Sequence, residues 1–127
     1  MVNNGIPLKN LVIFASGSGS NAEKIFEYFK DSTEVLITHI FSNNPEAGVI
    51  SRAERLAIPC TVFNRAEYKD GTLLKKIQSL NTDWVILAGF LWLIPSDFIQ
   101  AYPQRIVNLH PALLPKFGCK GMYGHFV

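Results

Sequence analysis

Two polar side chains near the end of the 127-residue chain, Asn108 and His110, have the types and spacing that proton transfer beside a developing oxyanion requires. Residues two apart on a strand project to the same face, so this pair would point one way while Val107 and Leu109 pack the other way. An asparagine amide donates to an oxyanion, and an imidazole with a pKa near ~6.5 passes protons at neutral pH. The alternative is a core pair satisfied by backbone groups, but the position at a strand end before Pro111 favours the chemical interpretation.

A second candidate site is the turn that contains Gly17 and Gly19, which follows the apolar run Leu11–Ala15 and precedes a helical pattern. The bare backbone N–H groups of such a turn, together with the positive end of the helix dipole, attract an anion. Ser20 and Asn21 add side-chain donors at the same place. The alternative is a tight strand-to-helix turn that binds nothing.

The same turn also matches the looser form of the dinucleotide-binding fingerprint, in which Ala22 takes the place of the third glycine. That fingerprint requires an acidic residue at the end of the second strand to hold a ribose. This sequence has Ser42, Asn43 and Asn44 there, and the next acidic residue is Glu46. The turn therefore predicts a site for a single phosphate.

A third candidate is the apolar segment that leaves the fourth predicted strand, from Ala88 to Pro95. Gly89 ends that strand, and an apolar stretch at such a place can wall a flat aromatic ligand while backbone groups read its edge. The alternative is that the same side chains belong to the core. The predicted wall consists of Leu91, Trp92, Leu93 and Ile94.

Five apolar runs would bring these sites to one edge of a sheet. The runs are continuous rather than alternating, which is typical of parallel strands covered on both faces. Helical patterns separate them, so the sequence predicts an α/β fold with a doubly wound, mostly parallel sheet. The usual order places the first, fourth and fifth strands side by side, with ligands at their carboxyl ends. The predicted strands are Leu11–Ala15, Val35–Phe41, Cys60–Phe63, Trp84–Phe90 and Arg105–His110.

Four helices are predicted between these strands. The first runs to about Lys30, and the second has Pro45 in its first turn, a place that suits proline. A polar connection through residues 68–71 leads into the third, and the fourth is a short helix capped by Ser96.

Composition excludes several other classes of protein. The net charge of +2, without a run of Lys or Arg, argues against nucleic-acid binding, and the longest apolar runs are too short to cross a bilayer. Cys60 and Cys119 form neither a disulfide framework nor a metal-ligand spacing, so no metal is expected. The absence of a signal-peptide pattern predicts a cytoplasmic protein, and nothing in the sequence distinguishes a monomer from a homodimer.

Three motifs together resemble those of the glycinamide ribonucleotide formyltransferases, with the order and spacing of that family. The resemblance implies a Rossmann-like formyltransferase fold and a reaction in purine synthesis. The formyl donor would be 10-formyltetrahydrofolate, and the acceptor would be the amine of glycinamide ribonucleotide. The motifs are Gly17-Ser18-Gly19-Ser20-Asn21, Leu87-Ala88-Gly89-Phe90 and Asn108-Leu109-His110-Pro111-Ala112-Leu113-Leu114-Pro115.

The resemblance also implies a role for each site residue. Asn108 would steady the oxyanion beside the folate, and His110 would donate and shuttle the proton. Arg65 and the 91–94 segment would border the folate. The residues expected to bind the nucleotide substrate are Gly19, Ser20, Asn21 and Pro111.

Members of that family continue for several dozen residues beyond the position of Val127, and that part supplies an aspartate to the histidine. We therefore expect residues 1–127 to form a single N-terminal nucleotide-fold domain whose C-terminal part is missing. Two other functions stay open at this point. The protein would either hydrolyse 10-formyltetrahydrofolate, as the deformylases do, or bind a nucleotide without catalysis.

Overall fold

Five parallel strands form the centre of the structure, a computed structural model that describes residues 8–108. Their order, β3-β2-β1-β4-β5, confirms the predicted α/β fold and places the first, fourth and fifth strands side by side. Each strand is short and apolar, as expected for a sheet with two covered faces. The strands are β1 (Lys9–Phe14), β2 (Val35–Ser42), β3 (Cys60–Val62), β4 (Trp84–Leu87) and β5 (Ile106–Asn108).

Helices cover both faces of this sheet. The first two pack on one face, against the side chains of Leu11 and Ile13, and the other three pack on the opposite face, against Val12 and Phe14. All four of these strand residues are buried, so alternate side chains of β1 belong to two separate hydrophobic cores, one on each face of the sheet. The helices are α1 (Ser20–Phe29), α2 (Gly48–Leu56), α3 (Arg65–Lys69), α4 (Thr72–Ser79) and α5 (Ser96–Ala101).

Three local predictions were wrong. Pro45 does not lie in the first turn of α2, because a turn closed by the N–H of Ala47 and the carbonyl of Asn44 separates them. Ser96 is the first residue of α5 rather than its cap, and Pro95 occupies the cap position without a side-chain bond. The predicted polar connection after β3 contains a helix, α3.

The register of the sheet brings the predicted site residues to one edge. Phe14, Leu87 and Asn108 are paired across β1, β4 and β5, so the carboxyl ends of these strands are level. Adjacent strands lie about 4.8 Å apart, which places the end of β5 roughly 10 Å from the end of β1. The glycine turn, the segment after β4 and Asn108 therefore lie at the same edge of the sheet.

One buried polar group in the fold has a stability consequence. The Thr82 hydroxyl, before β4, is buried and has no hydrogen-bond partner among residues 8–108. An unpaired buried hydroxyl costs about 1–3 kcal/mol, so Thr82→Val should raise the free energy of unfolding by about 1 kcal/mol. Urea denaturation at constant m-value measures this change. A Thr82→Val protein that is less stable than the wild type would show that the hydroxyl is paired.

Candidate functional site

The glycine turn after β1 adopts a conformation that requires glycine. Gly19 is the N-cap of α1 and has a φ of 82°, in the left-handed region. A Cβ at this position would lie 2.5 Å from Cγ2 of Val49 and 2.7 Å from its Cα. The backbone therefore approaches α2 more closely than any side chain would permit. The turn presents the first N–H groups of α1 outward, and Ser20 is exposed.

Helix α2 holds the glycine turn from behind. The Val49 N–H donates to the Gly17 carbonyl at 3.0 Å, and Arg52 Nε donates to the Ser18 carbonyl at 2.7 Å. Gly48 also packs against Ser18, whose Cα would lie 3.2 Å from a Cβ on that glycine. These contacts satisfy the carbonyl groups of Gly17 and Ser18. The Ser20 N–H donates weakly to Ser18 Oγ, at 3.4 Å, a bond that an incoming anion would replace.

Positive charge is in excess beside the turn. Glu23 Oε1 accepts hydrogen bonds from Arg52 and Arg55, each at 2.6 Å. The guanidinium groups of Arg55 and Arg52 lower the pKa of the Glu23 carboxyl, which therefore stays ionised at neutral pH. Two cations and one anion leave a local charge of +1 in this cluster. Together with the end of the helix dipole, this charge favours an anion at the turn.

The segment after β4 forms one wall of an open cleft of about 480 Å³. The side chains of Leu91 and Leu93 are 82% and 92% exposed, so they face outward rather than into the core. The predicted segment thus borders an open cleft, with Trp92 packed against Phe63 and Tyr68, and its role as a wall for a ligand remains a prediction. The cleft is lined by Arg65, Tyr68, Lys69, Leu91, Trp92, Leu93, Ile94 and Pro95.

Trp92 anchors this segment to α3. Its ring lies 5.3 Å from the ring of Tyr68 and 5.8 Å from that of Phe63, measured between centroids. The guanidinium carbon of Arg65 lies over the indole, 4.0 Å from its centroid. Such a cation–π contact orients the long arginine side chain across the mouth of the cleft. Arg65 thus lines the same cleft as the 91–94 segment, and its contact with a folate remains a prediction.

Tyr68 fixes the same segment by a hydrogen bond. Its ring is buried, and its hydroxyl donates to the Leu93 carbonyl at 2.7 Å. Burial, and then the charge of Asp97, raise the pKa of the phenol well above its ordinary value. The hydroxyl therefore stays protonated and remains a donor at every physiological pH.

Tyr68 was not among the residues predicted from the sequence, because helix α3 was not predicted. The signal was present in the spacing of Asn64 and Glu67, which form a capping box. The Glu67 N–H donates to Asn64 Oδ1 at 2.8 Å, and the Asn64 N–H donates to Glu67 Oε1 at 2.9 Å. The box starts the helix at Arg65 and turns Tyr68, three residues on, toward the sheet.

Asn108 is the last residue of β5 and is exposed at the carboxyl edge of the sheet. Val107 is buried on the α1 side and Ile106 on the α5 side, so the predicted alternation of the last strand is present. His110 and Pro111 lie outside the described residues. The predicted pairing of Asn108 with His110 remains a prediction.

Two features are absent from residues 8–108, a group of metal-ligating side chains and a helix that could span a membrane. Across residues 8–108, no three His, Cys, Asp or Glu side chains group together as metal ligands would. No helix within that range has the length and apolar character needed to cross a membrane.

Known proteins with similar sequences carry a consistent description. The chloroplastic phosphoribosylglycinamide formyltransferase of Arabidopsis thaliana is 42% identical over 123 residues, which cover 91% of this chain and 42% of the relative. The phosphoribosylglycinamide formyltransferase of Bacillus subtilis (strain 168) is 33% identical over 116 residues, covering 87% of this chain and 60% of the relative. The chain thus spans about half the length of these curated relatives.

Solved structures and family profiles agree with these relatives. The crystal structure of glycinamide ribonucleotide transformylase 1 from Geobacillus kaustophilus matches with a TM-score of 0.75 and 35% identity, covering 93% of this chain and 66% of that one. A sequence profile described as formyl transferase matches residues 9–125. The profile extends over nearly the whole sequence, and it confirms the resemblance inferred from the motifs. The chain therefore belongs to the formyl transferase family.

Proposed function

We propose that the protein transfers a formyl group from 10-formyltetrahydrofolate to the amine of glycinamide ribonucleotide, in purine synthesis. The observation that carries this proposal is the convergence of three strand ends at one edge of the sheet. The glycine turn follows β1, the open cleft follows β4, and Asn108 ends β5. An anion site, a site for a flat aromatic molecule and an oxyanion donor are what this reaction needs in one place.

The proposed site for the substrate phosphate is the glycine turn. Backbone N–H groups of Gly19, Ser20 and Asn21 would donate to its oxygens, supported by the excess positive charge of the Arg52–Arg55–Glu23 cluster. Pro111 would border the same substrate. The carbonyl groups of the turn are already bonded to α2, so an incoming anion would meet donors rather than acceptors.

The proposed site for the folate is the cleft between α3 and the segment after β4. Its volume of about 480 Å³ lies within the usual range for small-molecule sites. Leu91 and Leu93 offer apolar contact to a flat ring system, since both are exposed. Arg65 offers a cation. The Leu91 N–H and the Leu93 carbonyl are bonded to Ser16 and Tyr68, so the other backbone groups of residues 91–94 would bond the ring edge.

In the proposed reaction the amine nitrogen of the nucleotide forms a bond to the formyl carbon. Asn108 donates a hydrogen bond to the oxygen as it becomes negative, which lowers the barrier. The bond between the formyl carbon and N10 of the folate then breaks. His110 carries the proton that leaves the amine and delivers it to N10, so that charge and atoms balance.

The test uses the full-length protein with both substrates and measures formylated nucleotide and tetrahydrofolate. Equal amounts of the two products, formed only when both substrates are present, are expected. Release of formate at the same rate without the amine acceptor would instead identify a hydrolase. Tight binding of both ligands without any product would identify a non-catalytic nucleotide-binding protein.

The compartment in this proposal is the cytoplasm. Cys60 has no disulfide partner among residues 8–108, and unpaired thiols are typical of reducing compartments.

Replacing Arg65 tests the folate half of the site. Arg65→Ala removes a cation from the cleft mouth, and we expect the KM for 10-formyltetrahydrofolate to rise about tenfold while kcat changes little. The reason is that Arg65 would contact a part of the folate away from the formyl group. Steady-state kinetics with saturating nucleotide measures both constants. Lys75→Ala, an exposed cation on α4 outside the cleft lining, is the matched control. A KM unchanged by Arg65→Ala would place the folate elsewhere.

A further inference from the structure

Ser16 joins three loops that the sequence separates widely. Ser16 lies two residues after the end of β1, and only 6% of its surface is exposed. Its hydroxyl donates to Asn43 Oδ1, after β2, at 2.7 Å. The same hydroxyl accepts from the Leu91 N–H, after β4, at 3.0 Å. Its own N–H donates to the Gly89 carbonyl at 3.3 Å.

These bonds place Ser16 between the two proposed ligand sites. On its C-terminal side the chain enters the glycine turn at Gly17, and Leu91 is the first residue of the folate wall. The two sites also meet directly, because the Asn21 amide nitrogen lies 3.8 Å from where a Cβ on Gly89 would be. Gly89 has a φ of 71°, in the left-handed region, which lets the chain turn sharply toward the wall.

A hydroxyl is the group that this junction requires. The hydroxyl donates one hydrogen bond, to Asn43, and at the same time accepts another, from the Leu91 N–H, so that it bonds to a different loop in each role. Alanine would leave the Asn43 oxygen and the Leu91 N–H without that partner. The attachment through the hydroxyl would then be lost, and only the N–H of residue 16 would still bond to the loop after β4, at the Gly89 carbonyl. Arg52 and Tyr68 would continue to support the glycine turn and the 91–94 segment separately.

We propose that Ser16 is a positioning residue that holds the glycine turn and the Leu91–Ile94 segment in one fixed mutual geometry. The inference rests on the proposed function, because it matters only if one ligand occupies each loop. The amine and the formyl carbon must approach to within about 3–3.5 Å, and a displacement of about 1 Å costs roughly 100-fold in rate. Ser16 would thus govern the alignment of the two substrates rather than the affinity for either one.

The test compares Ser16→Ala with the wild type in the full-length protein. We expect kcat to fall about 10- to 100-fold, while the Kd of glycinamide ribonucleotide alone and of a non-reactive folate analogue alone change less than about threefold. Ser42→Ala is the matched control: Ser42 is also a buried serine at a strand end, but its hydroxyl bonds within its own turn, to Asn44. This control should retain the wild-type kcat.

Several results would overturn the proposal. A Ser16→Ala protein with kcat within about threefold of the wild type would do so, and so would a loss that comes entirely from weaker binding of the two ligands. If Ser16→Ala does not fold, Asn43→Ala decides the question, since it removes the acceptor that fixes the hydroxyl with its lone pair toward the Leu91 N–H. We then expect a kcat lower by roughly three- to tenfold with unchanged Kd values, and an unchanged kcat would refute the inference. An inactive wild type would overturn the proposed function as well, whereas an active wild type with an unaffected Ser16→Ala would overturn only this inference.

Discussion

Asn108→Ala in the full-length protein should lower kcat by about 10²–10³-fold, the usual effect of removing one oxyanion donor. Asn108 ends β5 at the carboxyl edge of the sheet and is exposed there. Shortening its side chain to alanine should therefore change the free energy of unfolding by less than about 0.5 kcal/mol. Rapid-quench kinetics would separate the chemical step from product release. Near-normal turnover by this variant would show that another group stabilises the oxyanion.

His110→Ala belongs to the same experiment, with an expected loss of about 10²–10⁴-fold for a group that transfers protons. The double variant of Asn108 and His110 should be less than additively impaired if the two act on one transition state. Strict additivity would assign them to separate steps.

Gly19→Ala should be the most damaging single change outside the last strand. A φ of 82° strains any other residue, and the added Cβ would overlap Val49, whose Cα is part of the α2 backbone. Strain and overpacking together should lower the free energy of unfolding by about 2–4 kcal/mol. Displacement of the turn should also lower kcat/KM for the nucleotide substrate about 100-fold or more.

Gly71→Ala is the matched control for this prediction. Gly71 caps α4 with a φ of 91°, so it carries the same backbone strain, but a Cβ there meets nothing within 4 Å. We expect about 1 kcal/mol of destabilisation with kcat/KM unchanged. The comparison isolates the close approach of Gly19 to α2 from the left-handed conformation that both glycines share. Equal effects of the two variants on kcat/KM would show that the glycine turn does not bind the substrate.

The strands and their order were predictable because each apolar run is long enough to identify and the crossover rules leave few arrangements. Helix α3 was not identified, since five residues are too few for a 3.6-residue period to be recognised. Only the capping box of Asn64 and Glu67 indicated it. The prediction for Pro45 was wrong because proline suits the first turn of a helix as well as the loop turn in which Pro45 lies.

Only those parts of the candidate site whose functional groups all lie within one short segment of the chain could be proposed from the sequence. The glycine turn and Asn108 belong to that class. Ser16 and Tyr68 do not, because their partners Leu91 and Leu93 lie 75 and 25 residues away along the chain. Such contacts depend on the packing of β1, β4 and α3 in three dimensions, which a local pattern does not encode.

The central position of β1 also has a consequence during synthesis of the chain. β1 is translated before the other four described strands. Its pairing with β4, from Leu11 with Trp84 to Phe14 with Leu87, needs a segment that is translated about 70 residues later. At roughly 5–20 residues per second, the ribosome takes about 4–15 s to cover that interval. For that time one edge of a largely apolar strand has no partner, although β2 has already emerged to pair with the other edge. The nascent chain is therefore most open to aggregation, and most in need of a chaperone, before β4 leaves the ribosome.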